Sequence, residues 1–320
     1  MAGTAWLLVP RRASPPMSDK PALLDIIATC RPWLKPRLAE LYDVRAVAGP
    51  DIRAVATDGT VGIDAALMDR LPDLEMIAVH AVGYDRVDLD HARSRGIRVS
   101  NTPDVLTEDV ADLAIALMLA VGRQIPRNDA WVRAGRWARE GYPPLARKVS
   151  GRRIGVLGLG RIGHAIAHRA APFASELAYF ARAPKPGAPW RHFADPVALA
   201  AAVDVLIVAV AGGAGTAGLV DKAVIEALGP EGMLVNIARG SVVDEAALVA
   251  ALVDGRLGGA GLDVFAEEPD VPEALLTLEN VVLQPHQGSA TIETRDAMGQ
   301  LVLDNLEAFF AGRPLPTPVD

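Results

Sequence analysis

One segment constrains this chain more than any other: Ile154-Gly155-Val156-Leu157 running into Gly158-Leu159-Gly160-Arg161-Ile162-Gly163. An apolar strand followed by G-x-G-x-x-G and a helical pattern is the signature of a doubly wound sheet that binds a dinucleotide. The first glycine permits the turn, the second lets the backbone approach a pyrophosphate, and the third lets helix pack on strand. The helix amino terminus, expected at His164, supplies N–H donors and a positive dipole end. A second match, Gly213-Ala214-Gly215-Thr216-Ala217-Gly218, also follows an apolar run, but its small residues suit a flexible loop equally well. The first match heads a strand series, where such a fold places its phosphate cradle, so Gly158, Gly160 and Gly163 are assigned to it.

That series comprises Ile154 to Leu157, Leu177 to Phe180, Val205 to Val210, Met233 to Ile237, Gly259 to Leu262 and Val281 to Leu283, interleaved with helical patterns such as Ala165 to Ala171 and Glu245 to Leu252. An earlier series alternates short apolar runs (Ala22 to Leu24, Arg53 to Ala56, Glu75 to Val79, Ile97 to Val99) with further helical segments. The reading is α/β with two doubly wound parallel sheets. Between them, Thr107 offers a capping hydroxyl to a helix that is apolar on nearly every face from Ala111 to Val121. Thr291 can cap a last helix that ends near Gly312 and Pro314. Residues 1–16 read as a disordered extension, with Met17 an alternative start.

Composition narrows the function. A length of 320 residues with 51% hydrophobic residues favours two globular domains. The formal charge of −7, with no basic stripe, argues against a nucleic-acid binder. Leu113 to Val121, the longest apolar run, falls well short of the roughly 20 residues that cross a bilayer. Cys30 is the only cysteine, which excludes an internal disulfide and points to a cytoplasmic location. His164 and His168 stand four apart on a helix, yet no zincin glutamate or third ligand accompanies them, so no metal site is expected.

The tract after the second cofactor-domain strand selects the nucleotide. An NAD site usually carries Asp or Glu there for the ribose 2′-hydroxyl, whereas this chain has Phe180-Ala181-Arg182-Ala183-Pro184-Lys185. Arg182, with Arg161 or Lys185, suits a 2′-phosphate. NADP(H) is the expected cofactor, with NAD(H) as the alternative.

Three further tracts each follow a strand of the second series: Val235-Asn236-Ile237-Ala238-Arg239-Gly240, Gly261-Leu262-Asp263-Val264-Phe265-Ala266-Glu267-Glu268-Pro269, and Gln284-Pro285-His286-Gln287-Gly288-Ser289-Ala290-Thr291. All three can gather at the carboxyl edge of one sheet, where ligands bind. Together with Gly83-Tyr84-Asp85, Val87-Asp88 and Asn101-Thr102-Pro103, they resemble the D-isomer-specific 2-hydroxyacid dehydrogenases, particularly the glyoxylate/hydroxypyruvate reductase branch, over nearly the whole chain after Met17.

The resemblance implies that Arg239 binds the substrate carboxylate and keto oxygen, that His286 is the acid/base, and that Glu268, chosen over Glu267 by its neighbour Pro269, hydrogen-bonds His286. It implies that backbone amides near Val82 and Gly83 hold the carboxylate. It also places Thr107, Arg161, Ile162, Thr216, Ala238, Asp263, His286 and Gly288 in the cofactor site beside the glycine loop and Arg182. The Rossmann domain, 104–290 with its linking helices, would be inserted into a flavodoxin-like substrate domain built from 17–103 and 291–320, and the chain would form a homodimer. The loop Ala211 to Gly218 departs from the family pattern by keeping Thr216 without its proline. His80 occupies a position open to a specificity role. An imidazolium beside a carboxylate is favoured, so His286 can protonate a forming alkoxide while Arg239 polarises the ketone. The expected activity is reduction of a small 2-keto acid to the D-2-hydroxy acid. A bulkier aryl-pyruvate or 2-ketogluconate substrate is the enzymatic alternative, and a nicotinamide-sensing, corepressor-like binding protein is the non-enzymatic one.

Overall fold

Two parallel sheets organise the chain, which a computed structural model describes over residues 20–319. The expectation for 1–16 lies outside the described residues. The first lobe runs β1 (Ala22–Asp25), α1 (Leu34–Leu41), β2 (Asp43–Arg45), β3 (Ala54–Asp58), α2 (Ala65–Asp69), β4 (Met76–His80), α3 (Leu89–Ser94) and β5 (Arg98–Ser100), with strand order β2-β1-β3-β4-β5. Helices α4 (Thr107–Gly122), α5 (Ile125–Arg133) and α6 (Arg136–Glu140) lead to the second lobe. There β6 (Arg152–Leu157), α7 (Arg161–Ala170), β7 (Ala174–Phe180), β8 (Arg191–Phe193), α8 (Pro196–Ala202), β9 (Val205–Val208), α9 (Lys222–Leu228), β10 (Met233–Asn236), α10 (Glu245–Val253), β11 (Gly259–Leu262), α11 (Glu273–Leu276) and β12 (Val281–Leu283) form a sheet of order β12-β11-β10-β9-β6-β7-β8. The chain then returns to the first lobe as α12 (Ile292–Phe310).

Both sheets are covered on both faces, which is why their central strands are continuous apolar runs rather than alternating ones. Val205–Val208 is buried at every position. On one face of the larger sheet α4 and α7 pack Ala114, Leu117, Met118, Ile166 and Ala170 against Ile154, Val156 and Ile207. On the other, Leu199, Ile225 and Leu248 from α8, α9 and α10 meet Leu206, Leu234 and Leu262. In the first lobe α12 lays Val302, Leu303, Leu306 and Phe309 over Leu23, Ala54 and Met76, together with Leu34 and Leu38 of α1. Each such fully buried Leu contributes about 1.5–3 kcal/mol relative to exposure. The C-terminal helix α12 thus completes a core begun by the first strands.

Several local expectations need correction. Thr107 is the first helical residue of α4, not its cap; Leu106 holds the cap position without a side-chain bond. The helix after the glycine loop begins at Arg161 rather than His164. The edge strands β2 and β8 are additions to the expected series. Thr291 does cap α12, accepting from the Thr294 N–H at 3.2 Å. No helix among the described residues is long and apolar enough to cross a membrane.

His80 closes β4 and is 1% exposed, and neither ring nitrogen has a hydrogen-bond partner. Burial, reinforced by the Arg295 charge and only partly opposed by Asp58, pushes its pKa down to about 4. The unfolded chain binds a proton near pH 6.5 that the native state refuses until about 4, so stability is complete above this window and falls as pH drops through it. The full loss amounts to about 3 kcal/mol. Replacing His80 by Met should therefore flatten the decline in Tm on acidification from about pH 7 to pH 5. An unchanged slope in thermal melts would refute this source of acid lability.

Candidate active site

The parallel register sets the height of the site. Leu157 pairs with Phe180 and Val208, Val208 with Asn236, Asn236 with Leu262, and Leu262 with Leu283. Six strands therefore end in one row, and the glycine loop, the Arg182 tract, the Ala211 to Gly218 loop and the three tracts that carry Arg239, Glu268 and His286 all leave from it. The glycine loop leaves β6 where the strand order reverses between β6 and β9, the crevice that such sheets offer to ligands.

The loop residues suit a dinucleotide. Gly158 has φ +104, and a Cβ there would lie 2.7 Å from Val210. A Cβ at Gly163 would lie 1.9 Å from the Gly158 carbonyl oxygen, so the helix can approach the strand only without one. A Cβ on Gly160 would meet nothing within 4 Å, leaving the face toward a pyrophosphate open. Ile162 lies in the first turn of α7, whose amide donors point at this opening. By contrast, 213–218 does not open a helix: α9 starts only at Lys222, capped by Asp221, and Thr216 turns its hydroxyl back onto the carbonyls of Ala211 (2.6 Å) and Gly213 (3.2 Å). Arg182 and Lys185 are exposed just beyond β7, while Arg161 pairs with Asp104 at 2.8 Å.

On the other side of the crevice the chemistry converges. Asn236, 1% exposed, accepts from the Ala238 N–H and donates to the Arg239 carbonyl, both at 3.0 Å, and so fixes the turn that carries Arg239. Asp263, equally buried, accepts from the N–H groups of Gln287 (2.6 Å) and Gly288 (2.9 Å). Burial holds its carboxyl above the usual range despite those bonds and the nearby His286. This clamp folds the loop after β12 back over β11, with His286 in the left-handed region at φ +53. There His286 Nδ1 meets Glu268 Oε2 at 2.8 Å, while Glu268 Oε1 accepts from the Phe265 N–H at 3.1 Å. Burial alone would raise the Glu268 pKa, but the bond and charge of His286, the Phe265 amide and Arg239 together hold it below the ordinary value.

Arg239, Glu268 and His286 line one cavity of about 240 Å³ between the lobes, joined from the first lobe by Gly59, Thr60 and Asp85. Val82 and Gly83 lie just past the end of β4 and are half-buried. Glu267 is exposed. Thr107 opens α4, and the histidine loop packs against that helix: a Cβ on Gly288 would come within 3.2 Å of Asp263 and 3.3 Å of Val110. His164 and His168 instead stack edge-on with each other and with Trp190, and no group of three metal-ligating side chains gathers among the described residues. The role of Asn236 was not assigned from sequence; a polar residue ending a buried strand was its signal. Nor was Asp85 given a role, although its motif was noted.

A parallel two-lobed α/β chain with a glycine-loop crevice facing an Arg, Glu and His is the architecture of a nicotinamide-dependent dehydrogenase. Residues 115–288 match the family described as D-isomer specific 2-hydroxyacid dehydrogenase, NAD binding domain. The hydroxyphenylpyruvate reductase of Plectranthus scutellarioides is 51% identical over 90% of this chain and 91% of its own length. The 2-ketogluconate reductase of Gluconobacter oxydans is 47% identical over 95% of this chain and 100% of its own. Among solved structures, the NADPH-dependent glyoxylate/hydroxypyruvate reductase of Sinorhizobium meliloti in complex with NADP and malonate superposes with a TM-score of 0.90 at 46% identity, covering 94% and 97% of the two chains. The chain belongs to the D-isomer-specific 2-hydroxyacid dehydrogenase family, in its glyoxylate/hydroxypyruvate reductase branch, and is an NAD(P)-dependent oxidoreductase.

The glycine loop yields a paired prediction. Gly160→Ala should leave the melting temperature of the free protein nearly unchanged and weaken NADPH binding, because the added methyl enters only the open face. Gly163→Ala should lower stability by about 1–3 kcal/mol, the usual cost of overpacking. Thermal melts and nucleotide titrations check both, and equal effects on stability would contradict the assignment of the two faces.

Proposed function

We propose that this protein reduces a small 2-keto acid of the glyoxylate or hydroxypyruvate kind to its D-2-hydroxy acid, with NADPH preferred over NADH. The observation that carries the reading is the meeting of Arg239, Glu268 and His286 on one inter-lobe cavity. The lobe formed by the two chain ends would hold the substrate, and the lobe between them the cofactor. When bound, the reduced nicotinamide supplies the hydride. Gly158, Gly160, Arg161, Ile162 and Gly163 would hold its pyrophosphate, and Thr107, Thr216, Ala238, Asp263 and Gly288 would complete the site. Arg182, with no carboxylate beside it after β7, would hold a 2′-phosphate.

The protein's own side chains do the remaining work. Arg239 and the amides near Val82 and Gly83 bind the substrate carboxylate, and the guanidinium withdraws electron density from the ketone. Glu268 occupies His286 Nδ1, which leaves Nε2 as the ring nitrogen available to a ligand. With Glu268 holding Nδ1, Nε2 delivers a proton to the oxygen that gains charge as the carbonyl is reduced; oxidation reverses the transfer.

A bulkier 2-keto acid is the second reading, favoured by the similarity to a hydroxyphenylpyruvate reductase (51% identical) and a 2-ketogluconate reductase (47% identical). Steady-state turnover of a keto-acid series with both reduced cofactors separates the two and tests the corepressor-like alternative as well. Brisk reduction of glyoxylate or hydroxypyruvate with NADPH is expected; best activity on an aryl-pyruvate selects the second reading, and preference for NADH overturns the role of Arg182. His286→Ala should cut kcat at least about 100-fold, the scale of a general acid/base, with NADPH affinity retained. A normal kcat would exclude His286.

A homodimer and a cytoplasmic location belong to the same proposal. The sole cysteine suits a reducing compartment. Ile125, Val132, Trp137, Tyr142 and Leu145 cluster as exposed apolar side chains on and beside α5 and α6, a surface that a second copy would cover. Leu145→Glu should lower the sedimentation coefficient toward that of a monomer; a wild-type chain that already sediments as a monomer would refute the dimer.

A further inference from the structure

Arg239 is held from the opposite side of the cleft. Its Nε donates to Asp85 Oδ1 at 3.2 Å, and its Nη1 donates to the neighbouring Ala238 carbonyl at 2.9 Å. Asp85 belongs to the turn after β4 in the first lobe, whereas Arg239 follows β10 in the second, so this ion pair crosses between lobes. The two side chains are only 21% and 17% exposed, shielded enough for the pair to count for more than a surface one.

Missing side chains make the contact possible. A Cβ on Gly83 would lie 1.9 Å from Arg239 Nη2, and one on Gly212 would lie 2.7 Å from Arg239 Cγ and 3.1 Å from Asp85 Oδ2. Loops from both lobes, after β4 and after β9, therefore close around the Arg239 side chain. With Nε and Nη1 engaged, Nη2 over Gly83 has no partner among the described residues and is left for a ligand. A free arginine samples many rotamers, and binding a planar carboxylate through its fork requires one of them.

We propose that Asp85 is a positioning residue for the reduction: it sets the guanidinium plane of Arg239 for the substrate carboxylate and, because the pair spans the cleft, makes that setting depend on the lobes being together. The inference rests on Arg239 being the carboxylate binder. If Asp85 instead competed with substrate for Arg239, its removal would improve binding, which gives the opposite sign.

The test compares wild type, Asp85→Asn, Asp85→Glu, Arg239→Lys and the Asp85→Asn/Arg239→Lys double variant. For each, KM and kcat are measured with the best-turned-over 2-keto acid and NADPH, inhibition with oxamate, NADPH affinity by nucleotide fluorescence, and Tm. Asp85→Asn should raise KM and the oxamate inhibition constant at least about tenfold, as expected for loss of a hydrogen bond between charged groups, with NADPH affinity and Tm retained. Asp85→Glu, which keeps the charge one methylene farther out, should recover part of the loss and carries the test if Asp85→Asn fails to fold. In the Arg239→Lys background the Asp85 change should add little, because its effect runs through Arg239. A KM within about twofold of wild type, a lowered KM, or an undiminished effect beside Arg239→Lys overturns the proposal while wild-type turnover leaves the functional reading standing. A wild type that reduces no 2-keto acid overturns both.

Discussion

A carboxylate taken out of water must find donors, and at the end of β11 Asp263 finds them in the backbone of the loop after β12. The site follows from that bond pair. To bring the Gln287 and Gly288 amides to Asp263, the chain has to reverse direction over the neighbouring strand, which drives His286 into a left-handed conformation that a β-carbon disfavours. The imidazole is thereby aimed at the segment leaving β11, where Glu268 waits. The arrangement stores local strain and a buried anion at one point, and both are tolerated because each secures the geometry of the other.

Arg239 is fixed by the same logic one strand away. Asn236 uses its amide as a two-sided brace within its own turn, and the level row of strand ends brings that turn beside the histidine loop without any long excursion of the chain. Arg239, Glu268 and His286 thus sit on short loops rooted in a rigid sheet, the kind of support that holds side chains within a narrow tolerance. The first lobe adds what the second does not provide: a carboxylate, that of Asp85, facing the guanidinium.

Much of this was legible in the sequence because it rests on local rules. The glycine loop, the buried strands β6, β9, β10, β11 and β12 and the three tracts at their ends all announce themselves through apolar runs and turn residues. The strands β2 and β8 did not, since each is three residues long, lies at a sheet edge and is partly exposed, so neither carries an apolar run. The cap of α4 was misread because a hydroxyl at Thr107 satisfies the pattern while the chain turns one residue earlier. The pairing of Arg239 with Asp85 joins residues 154 positions apart through space made by missing side chains at Gly83 and Gly212, and spacing rules carry no signal for such an arrangement.

The return of α12 to the first lobe has a consequence for biosynthesis. As the polypeptide leaves the ribosome, β1 to β5 emerge early, yet the face formed by Leu23, Ala54 and Met76 is covered only in part, by Leu34 and Leu38 of α1, until Leu303, Leu306 and Phe309 are made. The larger sheet is contiguous in sequence and can close first, with the earlier strands tethered to it as an unfinished half. For most of its synthesis the nascent chain therefore carries an apolar sheet face that chaperones or neighbouring chains can reach, and the order of assembly runs from the middle of the protein outward.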